Sequence, residues 1–292
     1  MPKDADPRWT VRRLLVWTTE FLGKRGSESP RLDAEVLLAH CLGWKRVQIY
    51  THFDDEVDDE PKAAFRELVK RRAEGTPVAY LVGSKEFYAL TFKVNPSVLI
   101  PRPDSEFVVV EFLNLTKGKG PIHAVDIGTG SGCLALACAH ANPQAQFIAT
   151  DISSEALVVA AENAVALGLS DRVVFLRGNL LDPVLDQGPF DLILSNPPYI
   201  RSADLATLDR DVRAHEPALA LDGGSDGLRT IEPLIDQAVR QLKQGGHLLL
   251  EIGFDIEAEV RSLIAAKPMM ILAPTIRDLR NQPRVIRATR VD

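Results

Sequence analysis

The chain has 292 residues, 46% hydrophobic and 25% charged, with a net charge of -6 and a pI near 5.6. Those values exclude disordered, fibrous and collagen-like chains, and the acidic balance is the reverse of what phosphate-bound proteins show. Three cysteines cannot build a disulfide framework, charges interrupt Met1 to Glu20, and no apolar run is long enough for a span, so a cytoplasmic protein with no membrane partner is expected.

The first eighty residues carry only helical periodicity. Trp9, Arg13, Leu14, Trp17, Phe21 and Leu22 form one stripe that ends near Gly23. Ser29 is expected to cap a second helix with Pro30 at its first position; Leu32, Val36, Ala39, Cys41 and Leu42 continue its apolar face, and Gly43 stops it. A third helical pattern runs from Pro61 to Gly75, with Lys70, Arg71 and Arg72 as a solvated face or a partner contact. Residues 1–83 therefore read as a helical bundle domain. Tyr88, Leu90, Phe92 and Val94 then alternate, and Val98 to Ile100 can pair back across Asn95-Pro96-Ser97. This predicts a β-hairpin connector at 84–102.

From His123 onward, strands and helices take turns. His123–Ile127, Gln146–Thr150, Val173–Leu176, Asp191–Ser195 and His247–Ile252 read as strands, with helices between them, including Ser153 to about Leu167 and Leu228 to Leu242. Alternation of this kind specifies an α/β domain at 103–292, a mainly parallel sheet covered by helices on both faces.

Gly128-Thr129-Gly130-Ser131-Gly132 lies where a strand turns into a helix. Glycines there let the backbone pass close to a ligand. A dinucleotide fingerprint wants Gly or Ala three residues after Gly130, where Cys133 stands. A nicotinamide site and a plain tight turn remain the alternatives. Asp151 ends the next strand, where a carboxylate can accept from ribose hydroxyls or serve only the following turn. Gly178-Asn179-Leu180 follows the third strand, and the Asn179 side-chain oxygen can accept from an adenine amine. Asn196-Pro197-Pro198-Tyr199 stands at the carboxyl end of a strand, where open α/β sheets place ligands. Proline carbonyls are fixed acceptors, the Asn196 side chain adds another, and Tyr199 offers a flat face, a set that suits a planar NH₂ group. Metal-ligand spacing is absent.

The ordered set Ser29–Glu35, Ile100–Glu106, Asp126–Gly132, Asn196–Tyr199, Glu216-Pro217, Gly224–Leu228, Leu250–Gly253 and Pro283–Val285 resembles the protein-(glutamine-N5) methyltransferases of the peptide chain release factor type. The resemblance covers about residues 9 to 289. It implies a class I methyltransferase fold, Rossmann-like with a seven-stranded sheet, after an N-terminal helical substrate-recognition domain. It implies S-adenosyl-L-methionine as cofactor and S-adenosyl-L-homocysteine as product, with no metal. It implies class 1 release factors as partners, modified at the Gly-Gly-Gln glutamine, by a monomer that touches no nucleic acid directly. Gly128, Thr129, Gly130, Ser131, Gly132, Asp151, Asn179, Leu180 and Asn196 would bind the cofactor. Asn196, Pro197, Pro198 and Tyr199 would bind the glutamine, with Asn196, Pro197 and Tyr199 catalytic. A ribosomal-protein glutamine or a nucleic-acid adenine amine are the alternative acceptors. The amide lone pair is delocalised, so acceptors on both N–H bonds would align it with the methyl of a sulfonium, and no prior general base is needed.

Overall fold

The computed structural model describes residues 8–291; the first seven residues and Asp292, which the expected domain ranges include, lie outside the described residues. The elements run α1 (Val11–Lys24), α2 (Pro30–Leu42), α3 (Arg46–Thr51), α4 (Asp59–Ala73), α5 (Val78–Val82), β1 (Ser84–Phe87), β2 (Leu90–Lys93), α6 (Glu106–Thr116), β3 (Ile122–Ile127), α7 (Cys133–Ala141) and β4 (Ala145–Asp151). Then follow α8 (Ser154–Ala166), β5 (Val173–Arg177), β6 (Phe190–Ser195), α9 (Arg210–His215), α10 (Ile231–Gln241), β7 (Leu242–Glu251), α11 (Glu257–Ala265), β8 (Met270–Leu272), β9 (Ile276–Arg277) and β10 (Pro283–Arg290).

The chain divides into two compact units. One holds Met1–Gly83 with Arg210–His215; the other holds Ser84–Asp209 and Glu216–Asp292. In the first, α1 is capped by the Thr10 hydroxyl, which accepts from the Arg13 N–H at 3.3 Å. Its buried stripe is Val11, Leu14, Leu15, Thr18 and Leu22. That stripe is rotated from the expected one: Trp17 is half exposed and stacks on Phe21. Ser29 occupies the cap position of α2 without a side-chain cap. Leu32 faces outward, and Asp33 and Glu35 are buried in its place. Asp33 accepts from the Ser27 hydroxyl and the Arg72 guanidinium, both at 2.7 Å. Arg72 also donates to Asp211 of α9. Arg72 is thus paired inside its own unit and is not part of a solvated face, whereas Lys70 and Arg71 are exposed.

In the second unit, β1 and β2 pair in register Phe87↔Leu90, so the hairpin turns at Tyr88-Ala89. Both residues have positive φ, 48° and 58°, the geometry of a two-residue hairpin turn. The turn expected at Asn95-Pro96-Ser97 is present, with the Val98 N–H donating to the Asn95 carbonyl at 3.1 Å, but it does not close the hairpin, and the expected returning strand Val98–Ile100 is corrected: that stretch is not a strand. Tyr88 carries no glycine or asparagine signal; its N–H is held by the Glu106 carboxylate at 3.0 Å.

The large sheet has the order β5-β4-β3-β6-β7-β10-β8, with β9 beside β10. The run from β5 to β7 is parallel, and β10 and its neighbours are antiparallel. Alternate residues feed two cores: Ala124, Leu192, Leu194 and Leu249 on one face, Val125, Ile127, Ile193 and Leu248 on the other. Helices on both faces explain why these strands read as near-continuous apolar runs. The register Ile127↔Thr150, Ile127↔Ser195 and Thr150↔Leu176 brings the loops after β3, β4, β5 and β6 to one edge.

Candidate functional site

Those four loops border one cavity of about 220 Å³. Gly128 and Gly130 have φ of 69° and 55°, and a Cβ on either would meet no heavy atom within 4 Å. The left-handed turns aim open backbone at the cavity, which explains the every-second-residue spacing. Beneath them, Asp126 accepts from the Thr129 hydroxyl at 2.7 Å and the Ala135 N–H at 3.2 Å, at the start of α7. Burial pushes the Asp126 carboxyl up to about 6, and its Oδ1 has no hydrogen-bond partner among the described residues.

Asp151 serves the turn before α8 and also lines the cavity. Its Oδ2 accepts from the Gly130 N–H and its Oδ1 from the Ser153 N–H, each at 2.9 Å. A carboxylate offers about four lone-pair sites, so capacity is left on the cavity side, which Asp151 lines. Burial raises its pKa, and the backbone donors oppose that rise. Ser153, not Asp151, caps α8: its hydroxyl accepts from the Ala156 N–H at 3.1 Å.

Leu180 has a positive φ of 50°, and its carbonyl accepts from the Thr150 hydroxyl at 2.8 Å. Leu180 and Asn179 line the cavity beside Ile152. The Ser131 hydroxyl is buried there with the weak Cys133 thiol as neighbour and no other hydrogen-bond partner among the described residues.

Asn196, Pro197 and Pro198 line the same cavity from the end of β6. The Asn196 Nδ2 donates to the Ser105 hydroxyl at 3.1 Å. The expected site residues at 128–131, 151, 179–180 and 196–198 thus share one space. Gly132 and Tyr199 are not among its lining residues. Gly132 stands where a Cβ would meet Leu136 at 2.9 Å and Ala160 at 3.2 Å, so it serves the packing of α7 on α8. Tyr199 packs under the site, its ring against Gly253. Burial, then the charge of Glu251, pushes its phenol upward.

The motif Ile100–Glu106, whose first three residues were expected in the connector, forms another wall. Pro101, Arg102 and Ser105 line the cavity. Arg102 donates to Glu216 at 2.6 Å, and Glu216 also accepts from the Ile100 N–H at 3.2 Å. Asp104 pairs with Arg284 at 3.1 Å. The distant motifs around 100, 216 and 284 are therefore one braced assembly. Among the described residues no group of three or more His, Cys, Asp or Glu could hold a metal ion, and no helix is long and apolar enough to cross a membrane.

Residues 13–83 match the family model of the PrmC N-terminal domain, and residues 105–223 that of the methyltransferase small domain. The chain is 45% identical over 285 residues to the release factor glutamine methyltransferase of Rhodopirellula baltica, which covers 96% of each chain. It is 45% identical to the release factor glutamine methyltransferase of Geobacter sulfurreducens over 84% of each chain. Among solved structures it resembles the hMettl16 catalytic domain in complex with a MAT2A 3′UTR hairpin, with a TM-score of 0.57 and 18% identity over 77% of this chain and 80% of that one. A methyltransferase from Pyrococcus furiosus has a TM-score of 0.52 and 20% identity over 76% of this chain and 98% of that one. At such identities the likeness is one of fold.

Proposed function

The chain belongs to the family of release factor glutamine methyltransferases, and we propose that it methylates the side-chain amide nitrogen of the Gly-Gly-Gln glutamine in class 1 release factors. The observation that carries this reading is the match over nearly the whole length of its relatives, joined to an acceptor-rich Asn-Pro-Pro segment facing the glycine loop across one cavity. S-adenosyl-L-methionine, which this family implies, supplies a methyl group on a positively charged sulfur. The residues present fit it. The open glycine turns leave room for a chain close to the backbone, and the Ser131 hydroxyl is an unspent polar group in the wall. The free lone pairs of Asp151 suit a pair of ribose hydroxyls. Asn179 would accept from an adenine amine, and Leu180 and Ile152 would cover its faces.

The task left to the other wall is to hold a weak nucleophile. An amide nitrogen becomes nucleophilic as its lone pair is turned out of conjugation. Acceptors on its two N–H bonds fix that orientation and stabilise positive charge growing on nitrogen. The Asn196 Oδ1 and the Pro197 carbonyl are those acceptors, Pro198 shapes the turn, and Tyr199 braces the segment from below. The proton is lost after transfer, so no histidine is needed. The helical unit is the recognition domain for the release factor in the cytoplasm.

The test offers labelled S-adenosyl-L-methionine with a release factor, a large-subunit ribosomal protein and DNA side by side. Label in the release factor alone is expected. Label in the ribosomal protein or in DNA at a comparable rate contradicts the assignment.

A further inference from the structure

Asn163 stands within α8 and is 1% exposed. Packing alone does not call for an amide there. Asparagine is a weak helix former, and its buried polar atoms cost free energy unless each finds a partner. Here each does. The Oδ1 accepts from the Lys93 N–H at 2.7 Å, and the Nδ2 donates to the Lys93 carbonyl at 3.1 Å and to the Ser131 carbonyl at 2.9 Å. Nδ2 carries two protons, and both are used. Lys93 presents a donor and an acceptor of one residue, so the amide fits only one way round. Its second proton then falls to Ser131.

The two partners belong to two stretches of the cavity wall. Lys93 ends β2, and Ser97, Val98 and Leu99 line the cavity just beyond the turn that follows. Ser131 closes the lining run 128–131. Asn163 does not line the cavity. It ties the two stretches together from behind.

The Ser131 contact also fixes the direction of a peptide. Gly130 and Gly132, on either side, have φ of 55° and 81°. Glycine takes either sign of φ at little cost, so local sterics leave the Ser131–Gly132 peptide free to turn. Its N–H donates to the Thr129 carbonyl at 2.8 Å, and its carbonyl accepts from Asn163. Without the Asn163 proton, that carbonyl can swing toward the cavity. There its negative end would oppose the carboxylate on the amino-acid chain of the cofactor.

Resting on the cofactor assignment above, we propose that Asn163 is a positioning residue for S-adenosyl-L-methionine, holding the glycine loop and the 97–99 wall in register for the amino-acid chain of the cofactor. Asn163 touches no cofactor atom. It acts through the Ser131 carbonyl and the Lys93 backbone.

The experiment compares two ligands by titration calorimetry: S-adenosyl-L-homocysteine, and 5′-methylthioadenosine, which keeps the adenine and ribose but lacks the amino-acid chain. Wild type, Asn163→Ala and Asn163→Asp are measured, each with its unfolding midpoint and its KM for S-adenosyl-L-methionine and for release factor. Asn163→Ala should bind S-adenosyl-L-homocysteine about tenfold more weakly, the scale of one lost buried hydrogen bond, and 5′-methylthioadenosine within about twofold of wild type. Asn163→Asp keeps the acceptor for the Lys93 N–H but sets an oxygen against two carbonyls, so it should lose at least as much. The KM for S-adenosyl-L-methionine should rise in step while the KM for release factor holds. A purely structural asparagine would lower the unfolding midpoint and leave the ratio of the two affinities at its wild-type value. That unchanged ratio, or full S-adenosyl-L-homocysteine affinity in folded Asn163→Ala, overturns the proposal. Should Asn163→Ala fail to fold, Asn163→Ser, which keeps a donor in less space, is judged by the same ratio. Wild-type protein that binds S-adenosyl-L-homocysteine but leaves release factor unmethylated removes the substrate reading and not this one. Wild-type protein that binds neither ligand removes the cofactor assignment, and this proposal with it.

Discussion

At the scale of single residues, the carboxylates divide by what reaches them. Asp151 receives backbone N–H groups and keeps lone pairs toward the cavity. Asp151→Ala should weaken S-adenosyl-L-methionine binding by about 1.5–3 kcal/mol per lost hydrogen bond to a charged acceptor, read by calorimetry; an unchanged affinity removes the ribose role. Glu251 and Asp126 behave differently. Burial raises both pKa values, to about 7 and about 6. The native state then holds protons that the unfolded chain has released, so their contribution to stability falls as pH rises from the ordinary carboxylate range to those values. Glu251→Gln removes one such penalty. Relative to wild type it should gain on the order of 3 kcal/mol between pH 4.5 and pH 8, measured by denaturant unfolding. No pH-dependent difference would mean that Glu251 ionises freely. Asp151 was legible because its carboxylate ends a strand a fixed step beyond a glycine loop. Ser105 was not, because its role lies in a contact with Asn196, 91 residues away in the chain.

At the scale of elements, loops are held in place by close backbone approach. Gly227 has a φ of 83°, and a Cβ there would meet the Tyr199 carbonyl oxygen at 2.6 Å. The segment after β6 is therefore clamped between its own turn and the stretch 222–228, with the Ile200 N–H donating to the Leu221 carbonyl at 3.0 Å. Gly227→Ala should displace Asn196–Tyr199, destabilise the protein by more than ~1 kcal/mol and lower turnover more than cofactor affinity. Equal turnover in the folded variant would separate the clamp from the site. The parallel strands and the glycine loop were readable because their signals are local. The hairpin was misplaced because Tyr88-Ala89 adopts positive φ without the usual residues and depends on Glu106. The antiparallel strands β8 to β10 carry short or charged stretches, and only their pairing with β7 reveals them.

At the scale of the molecule, α9 is 139 residues from Arg72 at their contact yet belongs to the helical unit. No helical periodicity announced that join. Removing the first 83 residues would strip Asp211 of its cation, so point variants test recognition better than truncation. Lys70 and Arg71 are exposed, unlike Arg72, and offer positive charge on an otherwise acidic protein. Lys70→Glu with Arg71→Glu should lower kcat/KM for intact release factor several-fold in low salt and leave a short Gly-Gly-Gln peptide unaffected. An equal effect on both substrates would assign those residues to stability instead.

The central claim is that this cavity holds a glutamine amide of a release factor against an S-adenosyl-L-methionine methyl. Tandem mass spectrometry of a release factor treated with the enzyme and methyl-deuterated S-adenosyl-L-methionine tests it most directly, with Asn196→Ala run in parallel. The expected result is one deuterated methyl on the side-chain nitrogen of the Gly-Gly-Gln glutamine, nearly abolished in Asn196→Ala while that variant still binds S-adenosyl-L-methionine and release factor. A methyl on any other residue, or full modification by Asn196→Ala, would contradict the account.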